Sequence, residues 1–272
     1  MVDGLVGSEM CIRDRWDALD KEKNEQKNQS ILVIKNKNGD IVSKISNPLK
    51  KGINNVNWSL SSSIPTTVKS GSKSRYSSGV YTQAKEGKYD LFLYTRINGV
   101  VTEVAGPVEL EIEKIRSGTL QNPLSDQHDE YYKKLAETFT KVEMLEHKIE
   151  KASDRVDTYQ SVLMGLKNDI SKSSKLVFDL VEMKNKLERK IGGSESKKEV
   201  GEKDNLTIYD RLWSARGGWY PNSYGPTALH MRSYDIAKKM LDRLEPEISD
   251  YLSKVDEVGK ILEEAGAPIV LD

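Results

Sequence analysis

The sequence predicts an α+β protein, a small antiparallel Ig-like β-sandwich followed by an antiparallel bundle of long helices. Three observations carry this. Two Asn-Gly pairs, Asn38-Gly39 and Asn98-Gly99, sit between β-rich runs. After Gly118 the apolar period changes from about 2 to about 3.5. A heptad-like seam then continues to the last residues. The domains expected are a polar lead-in at 16–29, the sandwich at 30–117 and the bundle at 118–272.

In order, ILVIKN at 31–36 is the first strand, and GDIVSKI at 39–45 pairs with it through a type I′ turn that requires positive φ at Asn38 and Gly39. GINNVNWSL at 52–60 reads as a strand with Trp58 as its buried aromatic. Residues 61–78, SSSIPTTVKSGSKSRYSS, have almost no core-forming side chains and form a long loop, after which Gly79-Val80-Tyr81 re-enters strand structure. GKYDLFLYTRI and VVTEV make the second hairpin around Asn98-Gly99, and Pro107 introduces a further strand, VELEIEKI.

The first long helix carries Leu135, Phe139, Val142, Leu145, Ile149, Ala152, Val156, Tyr159, Leu163 and Leu166 on one stripe, with Ser125 as N-cap. Extending to Leu166, it would reach about 60 Å, which requires partner helices. Leu176, Leu180, Met183, Leu187 and Ile191 mark the second helix, stopped by Gly192-Gly193. A charged loop at 193–204 leads to a short helix with Ile208, Leu212 and Trp213. Ala237, Leu241, Leu244, Ile248, Leu252, Val255, Val258 and Leu262 form the last seam, which Pro246 should kink or divide.

The charges exclude several functions. Lys plus Arg number 42, and so do Asp plus Glu, a balance that disfavours binding by phosphate neutralisation and hence a nucleic-acid partner. Residues 30–116 hold 13 basic and 7 acidic groups, and residues 117–272 hold 24 and 28, so neutrality sums opposite local charges. No apolar run is long enough to span a bilayer. The single Cys11 excludes an internal disulfide framework. No GxSxG, GxxxxGK[ST] or GxGxxG occurs, and His128, His147 and His230 stand in no metal-ligand spacing, so neither cofactor, metal nor catalytic residue is expected.

Two groups could still carry function. Glu109, Glu111 and Glu113 alternate with Leu110 and Ile112, placing carboxylates about 6 to 7 Å apart on one strand face, a separation in the range glycoside hydrolysis uses. Alternating charge is also how the solvent face of an outer strand looks, and that is the expectation here. Trp213, Trp219, Tyr220 and Tyr224 form the densest aromatic cluster, a candidate surface for sugar or protein, although aromatics at a bundle end more commonly plug it.

Residues 3–15, DGLVGSEMCIRDR, closely resemble a translated sequencing adapter, so 1–15 are expected to be an artefact and the natural chain to be truncated near Trp16. It would then have no cysteine. The order GDIVSKI, KKGINNVNWSL, GVYT or GKYDLFLY, then long helices, resembles the C-terminal region of bacterial sortilin-like proteins with BNR-type β-propellers, often labelled glycosyl hydrolases. The matching positions are Gly39, Val42, Gly52, Asn54, Val56, Trp58, Gly79 and Tyr81, or alternatively Gly87 and Tyr89. The resemblance covers about Ser30 to Leu271. It implies a non-catalytic structural or interaction region of a secreted or envelope protein, with its own propeller, and a protein or glycan ligand, as partners. No Asp-box precedes Ile31, so no residue of a propeller site can be carried over. The alternatives are a glycoside hydrolase fragment, with activity in the propeller or at Glu109 and Glu111, and a free-standing coiled-coil adaptor. A monomer is expected.

Overall fold

The computed structural model describes residues 27–62, 80, 82–113, 115, 125–165, 171–217 and 225–267. These residues form an α+β protein with two compact units, one of strands and one of helices. Residue 80 groups with the helices, and residues 27–62, 82–113 and 115 form the β unit. Cys11, Gly79 and Tyr81 lie outside the described residues.

In the β unit, β1 (Gln29–Asn36), β2 (Ile41–Pro48), β5 (Gly87–Ile97) and β6 (Val100–Ile112) form one antiparallel sheet in the order β2-β1-β5-β6. A two-residue ladder of β3 (Ser61–Ser62) and β4 (Thr82–Gln83) stands apart from it. The second layer expected of a sandwich is therefore reduced, among the described residues, to this ladder. Register places Leu32, Ile34, Ile45, Leu91 and Leu93 on one sheet face, where Ile34 is wholly buried. The opposite face carries Lys35 above the Phe92 ring at 4.4 Å and the Lys88–Glu109 pair.

Both hairpins form, by different means. Asn98 and Gly99 take φ of 49° and 82°, the positive values a tight two-residue turn needs. At Asn38-Gly39 only Gly39 is positive, and the expected type I′ turn is replaced. The Asn36 side chain supplies the reason. Its Oδ1 accepts from Asn38 N at 3.0 Å and Asp40 N at 2.8 Å, which favours a wider turn with a register shift beyond Ile34.

The strand expected at 52–60 is irregular up to Leu60. Gly52 has φ 97°, and Asn54 Nδ2 donates to Lys50 O and Gly52 O, so this backbone closes a local turn instead of a ladder. Trp58, expected to be buried, is half-buried, edge-on to Tyr89 at 5.7 Å, and donates from Nε1 to Ser61 O at 3.0 Å. The two strands expected on either side of Pro107 are one, β6. It is an edge strand whose register with β5 shifts at this point, Leu91 pairing with Val108 and Leu93 with Ala105, so Gly106 and Pro107 fall outside the ladder.

In the helical unit the elements are α1 (Ser125–Leu163), α2 (Ser171–Gly192), α3 (Glu195–Glu199), α4 (Ile208–Arg216) and α5 (Ala228–Glu264). The seam of α1 is buried throughout: Leu135, Phe139, Val142, Ile149, Ala152, Val156, Tyr159 and Leu163 are all 5% exposed or less, while Leu145 is partly buried. Leu166 lies outside the described residues. On α2 the buried set is Val177, Leu180, Leu187 and Ile191, so Val177 replaces the expected Leu176, which is exposed. On α5, Tyr251 takes the buried place expected of Leu252, which is only partly buried. Val80 joins this core instead of a strand.

Two corrections concern breakers. The charged stretch after Gly193 is not all loop, because Glu195 to Glu199 makes the short helix α3. Pro246 does not divide α5, which runs through it. Its ring and the carbonyl it leaves unbonded, that of Asp242, lie on exposed positions, while Leu244 and Ile248 on either side are buried and hold the helix against the core.

Cross-helix bonds give the directions. Thr138 meets Tyr234, Arg155 meets Asp256, and Tyr159 meets Val255, so α1 and α5 run parallel. Lys190 pairs with Glu247 and Lys254 contacts Met183, so α2 runs antiparallel to α5. Tyr209 reaches Glu146 while Tyr131 reaches Ala215, so α4 also opposes α1. The third layer of the bundle is thus made of α2 and α4 laid in succession, covering different stretches of the two long helices.

Candidate functional site

The succession of α2 and α4 leaves a break. At about 1.5 Å per residue the 22 residues of α2 reach about 33 Å, well short of the 39-residue α1 beside it. Residues 193–207 bridge the gap, and a groove of about 510 Å³ opens there against the middle of α5.

The bridge is held by one carboxylate. Asp204 accepts from Ser194 N at 3.0 Å, from Asn205 N at 2.8 Å and from Lys197 Nζ at 3.2 Å. The two backbone N–H groups, and then Lys197, hold its carboxyl below the usual carboxylate range. Lys198 Nζ donates to Gly192 O, capping the end of α2. Thr207 and Asp210 form a capping box that fixes the start of α4, with Asp210 N bonding Thr207 Oγ1 at 3.1 Å and Thr207 N bonding Asp210 Oδ2 at 2.8 Å.

The lining of the groove is amphipathic. Leu206, Ile208, Met240 and Leu244 supply apolar wall, and Leu206 is 56% exposed at the rim. Arg189, Lys190, Lys197 and Arg243 supply four cations against the two carboxylates Asp204 and Glu247. Both carboxylates are engaged, Glu247 by Lys190 and Asp204 by Lys197. Arg189 and Arg243 have no carboxylate partner among the described residues. They are the unneutralised charge of the groove.

On the other side of the same bridge lies a second groove of about 600 Å³, with Glu146, Glu150, Glu188 and Glu195 in its lining. Glu146 accepts from the Tyr209 hydroxyl at 3.0 Å, and burial followed by the Glu146 charge raises that hydroxyl's pKa. The described residues contain no group of three or more acidic, His or Cys side chains able to hold a metal ion.

Of the aromatic cluster expected from sequence, Trp213 is half-buried and edge-on to Phe139 at 6.3 Å, with the Arg216 guanidinium 5.0 Å from its ring centre. It fastens α4 to α1. Trp219, Tyr220 and Tyr224 lie outside the described residues. Glu109, Glu111 and Glu113 are exposed along and just beyond the edge strand. Lys88 donates to Glu109 at 2.6 Å and lowers its pKa by hydrogen bond and charge. A general acid needs the opposite shift. Of the histidines, His147 contacts Glu150 on α1 and His128 stacks near Tyr132. His230 closes the Thr227 capping box at the start of α5.

The groove had one legible component, Arg189-Lys190 in the last turn of α2, where cations oppose the helix dipole. Arg243 and Leu206 carried no signal, because only the fold brings them to the same place. No helix among the described residues is long and apolar enough to cross a membrane. No family model, curated protein or solved structure matches this chain.

Proposed function

We propose that this chain is a non-catalytic structural and interaction region of a secreted or envelope sortilin-like propeller protein, with the helical unit as its docking module. The observation that carries the reading is that the heptad seams are consumed within one chain: α1, α2 and α5 bury each other's apolar stripes. Among the described residues the seam side chains are mostly spent on one another, which favours a monomer over a coiled-coil adaptor whose seam pairs between chains. Against that closed core, the amphipathic groove at the α2–α4 break is the feature suited to a ligand. The element order from Ser30 onward supports the propeller-associated assignment, and with it a location outside the cytoplasm.

The test is an assay of the purified chain against a panel of glycosides, together with Glu109→Gln and Glu111→Gln. No turnover is expected from any of the three. Turnover by the parent chain that either substitution abolishes would replace this reading with a glycosidase site on β6.

A further inference from the structure

We propose that the groove at the α2–α4 break binds an apolar molecule carrying one anionic head, carboxylate or phosphate, clamped by Arg189 and Arg243. The inference deepens the docking-module reading and rests on it.

Charge complementarity is the first argument. The three lysines nearest the groove have partners: Lys190 has Glu247, Lys197 has Asp204, and Lys198 has the Gly192 carbonyl. In a chain with as many acidic as basic groups, the two guanidiniums lining the groove nonetheless remain without a carboxylate. Glu188 and Glu195, in the second groove that Arg189 also lines, do not pair with it either. A guanidinium presents a planar fork of donors that matches the two oxygens of a carboxylate or the oxygens of a phosphate, so two of them in one groove make a site for a single anionic head.

The apolar wall is the second argument. Leu206, Ile208, Met240 and Leu244 lie in the same groove as the arginines. Ile208 and Leu244 are buried behind the surface, and Leu206 and Met240 present the apolar area that water still reaches, so an alkyl body laid against these two would remove apolar surface from water, which a free inorganic anion cannot do. The volume of about 510 Å³ falls within the usual range of roughly 300 to 1,000 Å³ for small-molecule sites. Met240 contributes a flexible side chain that adapts to the shape of its occupant. Sequence alone could not show the site, since its arginines stand 54 positions apart, at 189 and 243.

The test is calorimetric titration of the full chain with dodecanoate, dodecyl phosphate and dodecyltrimethylammonium, each below its micellar concentration. One-to-one binding of at least one anionic probe is expected, and much weaker binding of the cationic one. The tighter anion identifies the head group. The double variant Arg189→Met/Arg243→Met should weaken the anion by about tenfold or more, since it removes both charge-assisted donors from the groove. Both side chains are exposed and unpaired, so the melting temperature should be unchanged. Leu206→Asp, at an exposed rim position, is a second variant expected to lower affinity without unfolding the chain. Equal affinity for the ammonium probe, an unchanged affinity in the double variant, or no anion binding would overturn the proposal. An absence of glycosidase turnover in the same preparation would leave the non-catalytic reading standing, so the two failures are separable.

Discussion

At Gly259 of α5 the space for a side chain is taken by Tyr159 of α1, and replacing this glycine has an effect whose sign can be worked out. In a helix interior Ala is favoured over Gly by about 0.8 to 1 kcal/mol, so Gly259→Ala would be stabilising at an open position. This position is closed. A Cβ built there overlaps the Tyr159 hydroxyl and lies 3.2 Å from Tyr159 Cζ. Tyr159 is wholly buried and tethered on two sides, donating to Val255 O at 3.2 Å and accepting from Arg155 Nη2 at 3.1 Å. Arg155 is itself anchored to Asp256 at 2.6 Å. The ring cannot retreat, and overpacking of this kind costs about 1 to 3 kcal/mol. The net expectation for Gly259→Ala is a loss of about 1 to 2 kcal/mol, roughly 2 to 8 °C in melting temperature for a unit of this size. Tyr159→Phe removes the hydroxyl that obstructs the Cβ, at the cost of one hydrogen bond of about 1 kcal/mol. In that background Gly259→Ala should become neutral or stabilising by up to about 1 kcal/mol, so the double-mutant cycle yields a coupling of about 1 to 3 kcal/mol. Chemical denaturation of the four proteins measures it. Additive effects, with Ala equally harmful in both backgrounds, would refute the close-approach argument.

Three further predictions concern other parts of the fold. Tyr251 is wholly buried, and its hydroxyl has no hydrogen-bond partner among the described residues, so Tyr251→Phe should leave stability unchanged or raise it by up to about 1 kcal/mol; a clear loss in denaturant midpoint would contradict this. Burial, followed by the Glu188 and Asp157 charges, pushes that hydroxyl up to about 12. The folded state therefore holds this proton more tightly than the unfolded chain, and stability should fall only as pH rises from about 10 towards 12, a fall that the Phe variant lacks. Asp204, whose carboxyl is depressed, contributes to the bridge above the ordinary carboxylate range and loses its effect as pH falls through its lowered pKa; Asp204→Ala should speed amide exchange at Ser194 and Asn205 at neutral pH. In the β unit, Gly106 has φ 137° and an added Cβ would lie 2.8 Å from Phe92 Cδ1 and 2.9 Å from Leu91 O, so Gly106→Ala should destabilise the sheet by about 2 kcal/mol or more in thermal unfolding.

How much of this was legible in the sequence depends on the range of the forces involved. The seam of α1 could be read because a helix buries one stripe whatever it packs against, and the stripe from Leu135 to Leu163 admits only one frame. In α2 the run Leu176-Val177-Phe178 fits two frames equally, and the choice of Val177 is made by α1 and α5, which are distant in sequence. Pro246 does not divide the helix, because helix propensity is local whereas burial of Leu244 and Ile248 on both sides outweighs one lost hydrogen bond at the solvent face. The Asn38-Gly39 turn was found but mistyped, since the deciding contact is a side chain two residues upstream, Asn36. The candidate groove was least legible. It exists because α2 stops short of α1's length and α4 resumes the layer, and no local pattern records that gap.

The central claim, that the heptad seams close within a single chain, is tested most directly by light scattering on the purified protein over a range of concentrations. The mass of one chain at every concentration is the result this account predicts. A dimer or higher mass that persists on dilution would mean that the seams pair between chains, and would contradict it.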